Sequence, residues 1–438
     1  MVAWCLIPLL LILLLTGVAP AAESLDPARV AQIAPMLPDQ PTGLGRPIAD
    51  RAAWDKLAKD PAVAATIKRA EGYLDSPLPE QPDDLFLDFS RTGNRTRWQT
   101  VSGQRRGRLA PLVIAECLEN KGRFLPRLEE LIEALCAERT WVMPAHDSKL
   151  TNFKGEAIDI DLASSALAWD LATADWLLGD KLTPALRDKL RQNIQTRVLK
   201  PYRDMFTGAR GPNWWMLTTN NWNAVCLAGV TGAALVEIAD KQLRAEYVAA
   251  ADKYIRNFLS GFTPDGYCSE GLGYWDYGFG NFVYLAETVR QATGGKLDFL
   301  LLPNAKAPAM FGANVAISGG VYPAFADCGV TAKPDYSIMW FVNRRLGLGL
   351  SDYDTLRPGS GLGNLSQGML LNVPHGASDT APAKETQKSL LRTWFEQAGI
   401  LISRPAAGSK TKLGVALKGG NNNEHHNHND VGSYVVVA

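Results

Sequence analysis

The apolar pattern of this chain changes period once, and that change constrains the fold more than any single motif. From about residue 24 to 350 the apolar residues recur at helical spacing. Over 50–75 they fall at Ala53, Trp54, Leu57, Val63, Ile67 and Leu74, and the pattern returns over 109–117, 124–139, 158–178, 182–199, 224–238, 244–258 and 282–292. Pro184 suits the first turn of its helix. After about 390 short β-rich runs replace the helices, at 398–403, 412–417 and 432–437, with turn residues between them. Helical hairpins in series build a solenoid or a closed ring, and periodicity alone does not separate the two. Three strands are too few to close a sandwich. The expectation is therefore a helical domain over 23–385, then 386–438 as the first part of an antiparallel β domain, most of which this sequence lacks.

Charge and the first residues narrow the class. Lys and Arg total 45 and Asp and Glu total 45, so the formal net charge is zero. That balance excludes a globally basic nucleic-acid binder and an acidic disordered tail. Residues 6–15 are almost wholly apolar and are followed by Ala19-Pro20-Ala21, a small-x-small cleavage pattern. The run is short for a membrane span. It reads as a signal peptide over 1–22, which makes the protein periplasmic or secreted, with no membrane attachment after cleavage. Cys5 leaves with the signal, and Cys117, Cys136, Cys226, Cys268 and Cys328 remain with no C-x-x-C pair. The odd number leaves at least one thiol unpaired, and most are expected to be small buried apolar residues. Oligomeric state is not set by the sequence.

Four segments hold the candidate chemistry. Residues 90–108 carry Arg91, Arg95, Arg97, Arg105, Arg106 and Arg108, with no acid between Asp88 and Glu116. Guanidinium forks suit carboxylates and sulfates, and a solvated loop covered by neighbouring acids is the plainer alternative. Residues 212–226 interleave Trp214, Trp215 and Trp222 with Asn213, Asn220, Asn221 and Asn223. Flat aromatic faces bind sugar rings and amides bind hydroxyls or carboxylates, although Asn220 or Asn221 can equally cap the following helix. Residues 264–277 place Glu270, Tyr274, Trp275, Asp276 and Tyr277 behind a Pro-Asp-Gly turn, in what reads as a polar, glycine-rich loop. Residues 421–430, N-N-N-E-H-H-N-H-N-D, hold three of the five histidines. If that segment is extended, His426 and His428 share a side, a common metal-ligand spacing that Asp430 would join or orient.

In this order, N-N-W-N at 220–223, D-G-Y-x-x-E-G-x-G-Y-W-D-Y-G from 265, Y-P-x-F-x-D at 322–327 and H-x-H-x-D-x-G-S-Y from 426 resemble the heparinase II/III-type polysaccharide lyases. T-G-N-R at 92–95 and W-V-M-P-A-H-D at 141–147 add to the resemblance, which runs from about residue 88 to the end. It implies a mainly α fold, an incomplete (α/α) toroid of helical hairpins followed by the start of an antiparallel β-sandwich domain. It also implies β-elimination at a uronic acid: a base removes the C5 proton, the 4-O-glycosidic bond leaves, and an unsaturated uronate forms. The partner is then an anionic polysaccharide or oligosaccharide, not nucleic acid.

The site residues follow from the same resemblance. Asn221 would bind the uronate carboxylate. Many members carry His next to this Asn, where this chain has Trp222, which points to a tyrosine-centred mechanism with Tyr277 first and Tyr274 second as the acid. His426 would act as base or as carboxylate neutraliser. Trp214, Trp215, Trp222 and Trp275, with Arg95, Arg97 and Glu270, would bind substrate. The chemistry requires no cofactor. His428 matches a histidine that binds a structural zinc in some members, whose further ligands lie beyond this chain. A uronyl C5-epimerase, an inverting hydrolase on a helical toroid and a non-enzymatic polysaccharide-binding scaffold stay open as alternatives.

Overall fold

In the computed structural model of the chain, the described residues are 24–355, 363–372, 390–410 and 412–438. The signal-peptide segment and the domain boundary at 385 lie outside them. Among the described residues no helix is long and apolar enough to cross a membrane. Cys117, Cys136, Cys226 and Cys268 are buried free thiols, and Cys328 is half-buried and free.

The helical part is an incomplete toroid whose central member is the Asn221–Glu237 helix. It packs against the Leu162–Leu178, Lys241–Ser260 and Leu272–Ala292 helices. This helix is buried almost all round, so its sequence shows little amphipathic contrast and its neighbours come very close. A Cβ on Gly229 would lie 2.5 Å from the Ser165 carbonyl, and one on Gly232 would lie 2.3 Å from the Trp169 indole. Asp161 starts the Leu162–Leu178 helix with a capping box: its side chain accepts from Ala163 and Ser164, and the Ser164 hydroxyl accepts from the Asp161 amide.

The expected 50–75 helix divides into Arg51–Leu57 and Pro61–Glu71, because Pro61 has no N–H to continue the first helix. Two segments read as loops are helical. Thr96–Arg106 is a helix within the arginine-rich segment, and Leu272–Ala292 begins before Tyr274. Gly271, at φ 88°, makes the turn into that helix.

The C-terminal strands form one antiparallel sheet in the order β1-β2-β3-β4: β1 Arg392–Phe395, β2 Ile400–Ser403, β3 Gly414–Lys418 and β4 Tyr434–Val437. The sequence signal missed β1. Its alternation is plain in the register, where Phe395 pairs with Ile400 and Ile400 with Lys418 on the face that meets the helices. There Phe395 meets Tyr267 and Phe311 ring to ring. Arg404, just past β2, donates to the carbonyls of Asn314 and Ala316, fixing the sheet to the helical part.

Alanine normally improves a helix interior over glycine. Gly229→Ala is expected to do the reverse and cost about 1–3 kcal/mol through overpacking against Ser165. Chemical denaturation checks this, and a midpoint equal to or above wild type would contradict the packing.

Candidate functional site

The sheet carries the histidine segment onto the helices. Tyr274, in the first turn of the Leu272–Ala292 helix, stacks on the His426 ring with centroids 3.9 Å apart and planes at 15°. The 421–430 segment is a succession of turns with left-handed residues at His426 and Asn429. His426 and His428 nevertheless share a side: His426 Nδ1 and His428 Nε2 each lie 3.7 Å from the Asp327 carboxylate. His425 Nε2 lies 3.3 Å from the Thr219 hydroxyl.

A buried lysine organises these turns. Lys418 ends β3 with its side chain 1% exposed, and its ammonium reaches Glu424 at 2.9 Å and Asp430 at 3.1 Å. Asp430 also accepts from the Ala326 amide at 2.7 Å, beside Asp327. Burial works to raise the Asp430 pKa, but the Ala326 N–H and Lys418 outweigh it and hold the carboxyl low. The same loop geometry sets the protonation of the stacked pair. Burial lowers the His426 pKa against the opposing pull of Asp327, so its neutral form is favoured. Burial, Asp327 and Glu270 raise the Tyr274 pKa, with Arg95 acting in the opposite sense.

The asparagine segment caps its helix, one of the two roles its sequence allows, and places Asn221 against the chain's own Glu270. Asn220 is the cap, its side chain accepting from the Trp222 amide. Asn221 is 1% exposed, and both its backbone N–H and its Nδ2 face the two oxygens of Glu270 at 3.0–3.2 Å. The amide expected to hold a substrate carboxylate thus holds the chain's own, at the positive end of a helix. Glu270 is correspondingly buried, not presented to a ligand. Burial raises its pKa, while the Asn221 donors oppose the shift.

Two of the expected sugar platforms are core residues. Trp215 stacks on Tyr202 and donates to the Ile160 carbonyl; Trp275 stacks on Phe279 and donates to the Pro308 carbonyl. Both are fully buried, because each indole N–H finds its carbonyl inside the helical packing. Trp214 is 54% exposed and touches the half-buried Trp222, ring centroids 4.7 Å apart.

The arginine segment is largely neutralised by acids folded over it. Arg91 pairs with Asp84, Arg97 with Asp88, and Arg105 and Arg106 with Glu138, while Arg108 donates to the carbonyls of Ser76 and Pro77. Arg95 is exposed and makes no ion pair among the described residues. Tyr277 lies one turn beyond Tyr274, exposed beside a cavity that Arg106 and Asp170 also line. Its hydroxyl makes no hydrogen bond among the described residues. Of the two tyrosines, Tyr274 is the one set against a histidine.

One further pair escapes the sequence. His146 Nδ1 lies 2.7 Å from Asp161 Oδ2, and the His146 ring meets Trp222 at 4.5 Å. Its signal was the W-V-M-P-A-H-D string together with a capping aspartate, but 15 residues separate the two. For zinc, His426, His428 and Asp327 sit at ion-pair distance and do not converge as ligands. Among the described residues no group of three His, Cys, Asp or Glu is disposed to hold a metal.

Removing the buried cation should loosen this site. Lys418→Met leaves Glu424 and Asp430 without it and is expected to cost about 3–5 kcal/mol in chemical denaturation. A loss below about 1 kcal/mol, the level of an exposed pair, would contradict its organising role.

No protein-family model and no curated protein matches the sequence. Solved structures do match. A heparinase III superposes over 90% of this chain and 65% of its own, with TM-score 0.51 and 15% identity; its methylated-lysine form gives 0.50 and 14%. The chondroitin AC lyase of Streptomyces coelicolor A3, solved with chondroitin sulphate, superposes over 89% of this chain and 57% of its own, with TM-score 0.51 and 13% identity. This chain therefore spans less than two thirds of the length of those chains, and over that span it has the fold of the heparinase and chondroitin lyase type of polysaccharide lyase.

Proposed function

We propose that the protein is an exported lyase that cleaves a uronic-acid-containing polysaccharide by β-elimination. The observation that carries this reading is the His426 ring stacked on Tyr274, a loop histidine brought onto a helix tyrosine. The reaction needs a base for the C5 proton, an acid for the leaving oxygen and a positive group for the carboxylate. His426 is shifted towards its neutral, proton-accepting form and Tyr274 towards its protonated, donating form. Environments that push two neighbouring groups apart in this way mark an acid and a base.

In this reading His426 takes the C5 proton. The C5–H electron pair becomes the C4=C5 bond and the C4–O bond breaks. Tyr274 then gives its phenolic proton to the departing oxygen. Arg95, exposed and close enough to Tyr274 to influence its charge, serves the uronate carboxylate in place of Asn221. The fold shared with heparinase III and chondroitin AC lyase supports a polysaccharide as the partner.

The test is the growth of ultraviolet absorbance, from the new C=C conjugated to a carboxylate, with a panel of uronate polymers. Tyr274→Phe is expected to lower turnover roughly 10²- to 10⁴-fold with little change in binding, while Tyr277→Phe keeps most of it. The reverse ranking would move the acid to Tyr277, and reducing ends without absorbance would replace the lyase with a hydrolase. The pH profile is a second check. Because the His426 pKa is lowered, the base stays neutral below the ordinary histidine value of 6.5, so the acidic limb of kcat/KM should have its midpoint below that value. A midpoint above 6.5 would contradict His426 as the base.

A further inference from the structure

The His146–Asp161 pair stands at a cavity of about 590 Å³, whose walls include Arg210, Asn213, Trp214 and Trp222. We propose that this cavity is a pyranose subsite, in which Trp214 and Trp222 pack against a sugar ring and His146 Nε2 hydrogen-bonds a ring hydroxyl. Placing that sugar in the same polymer as the reacting uronate rests on the lyase reading; the binding chemistry does not.

The hydrogen-bond inventory of Asp161 fixes the histidine. Asp161 Oδ1 accepts from Ala163 and Ser164, and Oδ2 accepts from the Met143 amide at 2.9 Å. The carboxyl is buried, which by itself raises its pKa, but the His146 hydrogen bond and charge with those N–H groups outweigh burial and keep it low. An ionised carboxylate only accepts, so Nδ1 carries the proton towards it. Nε2 is then the ring nitrogen left to a ligand hydroxyl, which can donate to it or accept from it. That nitrogen makes no hydrogen bond among the described residues, while the ring is held on both sides, by Asp161 and by Trp222.

The aromatic wall adds the apolar half of the recognition. Trp214 leaves over half its surface in water, a costly position for an indole unless a ligand covers it. It cannot retreat, since Trp222 backs it and the adjoining Trp215 is locked in the core. Arg210, also on the lining, donates to Asp159 at 2.7 Å and to the Ile158 carbonyl and is thereby held. Stacking faces beside an oriented imidazole suit a hydroxyl-bearing ring better than an inorganic ion. The stretch Thr219–Trp222 joins this cavity to the Tyr274–His426 pair, with Thr219 at His425 and Trp222 at His146.

The experiment is isothermal titration calorimetry of the full chain with hexasaccharides from alginate and from chondroitin, in a Tyr274→Phe background so that turnover adds no heat. Trp214→Ala and His146→Ala are each expected to weaken binding roughly five- to ten-fold, the scale of one lost contact. In the otherwise wild-type chain the same changes should raise KM and leave kcat nearly unaltered. Trp214 is exposed, so its variant folds even if the His146 variant does not. Unchanged affinity and KM for Trp214→Ala would overturn the subsite. Binding that depends on both residues, with no unsaturated product from any polymer, would uphold the subsite and reject the lyase reading instead.

Discussion

The contact between the Glu270 carboxylate and the start of the Asn221–Glu237 helix is the constraint on which the site depends. A buried carboxylate needs donors or it forfeits its charge. Here Asn221 supplies two, one from the backbone and one from the side chain, at the end of a helix whose dipole favours an anion. This fixes the turn at Gly271 against the central helix. One turn beyond Tyr274 the two helices come so close that a Cβ on Gly278 would lie 3.0 Å from the Asn221 Cβ. Tyr274 stands between these two contacts, so its position along and around the helix is determined from both sides.

From that fixed tyrosine the rest is assembled by charge pairing around Lys418 and one long-range hydrogen bond from Ala326 to Asp430. The sheet contributes His426 only because Lys418, at the end of β3, neutralises both Glu424 and Asp430, and because Asp430 also reaches the helical part at Ala326. The sheet face that carries Lys418 is mostly apolar, with Phe395, Ile400, Ile402 and Ala416 buried. A lone ammonium there would be costly, and its two carboxylates make it a pin for the loop. Under the lyase reading, catalytic competence belongs to the junction of helices and sheet, not to either part alone.

The sequence was legible wherever one element explained itself. Helical spacing located most of the main helices, and Pro184 marked a helix start as expected. Alternation located β2, β3 and β4, while β1 escaped because Arg392 and Thr393 break its apolar run. The ordered motifs located the residues that surround Tyr274 and His426. What was not legible was burial. Trp214 and Trp215 are adjacent and chemically identical, yet one faces water and the other the core, decided by Tyr202 and the Ile160 carbonyl from distant parts of the chain. Asn221 read as a ligand donor because nothing in the string shows that Glu270 folds back onto it. His146 was missed for the same reason, since its partner Asp161 announces itself only as a helix cap.

The central claim is that the helix tyrosine and the loop histidine carry out an elimination. Mass spectrometry of the oligosaccharides released from a uronate polymer tests it most directly. Elimination predicts that one of each pair of new ends is lighter by one water than a hydrolytic fragment, because the bond is broken without water. If every released fragment carried the added water, the reaction would be hydrolysis, and His426 and Tyr274 would not be the base and acid of an elimination.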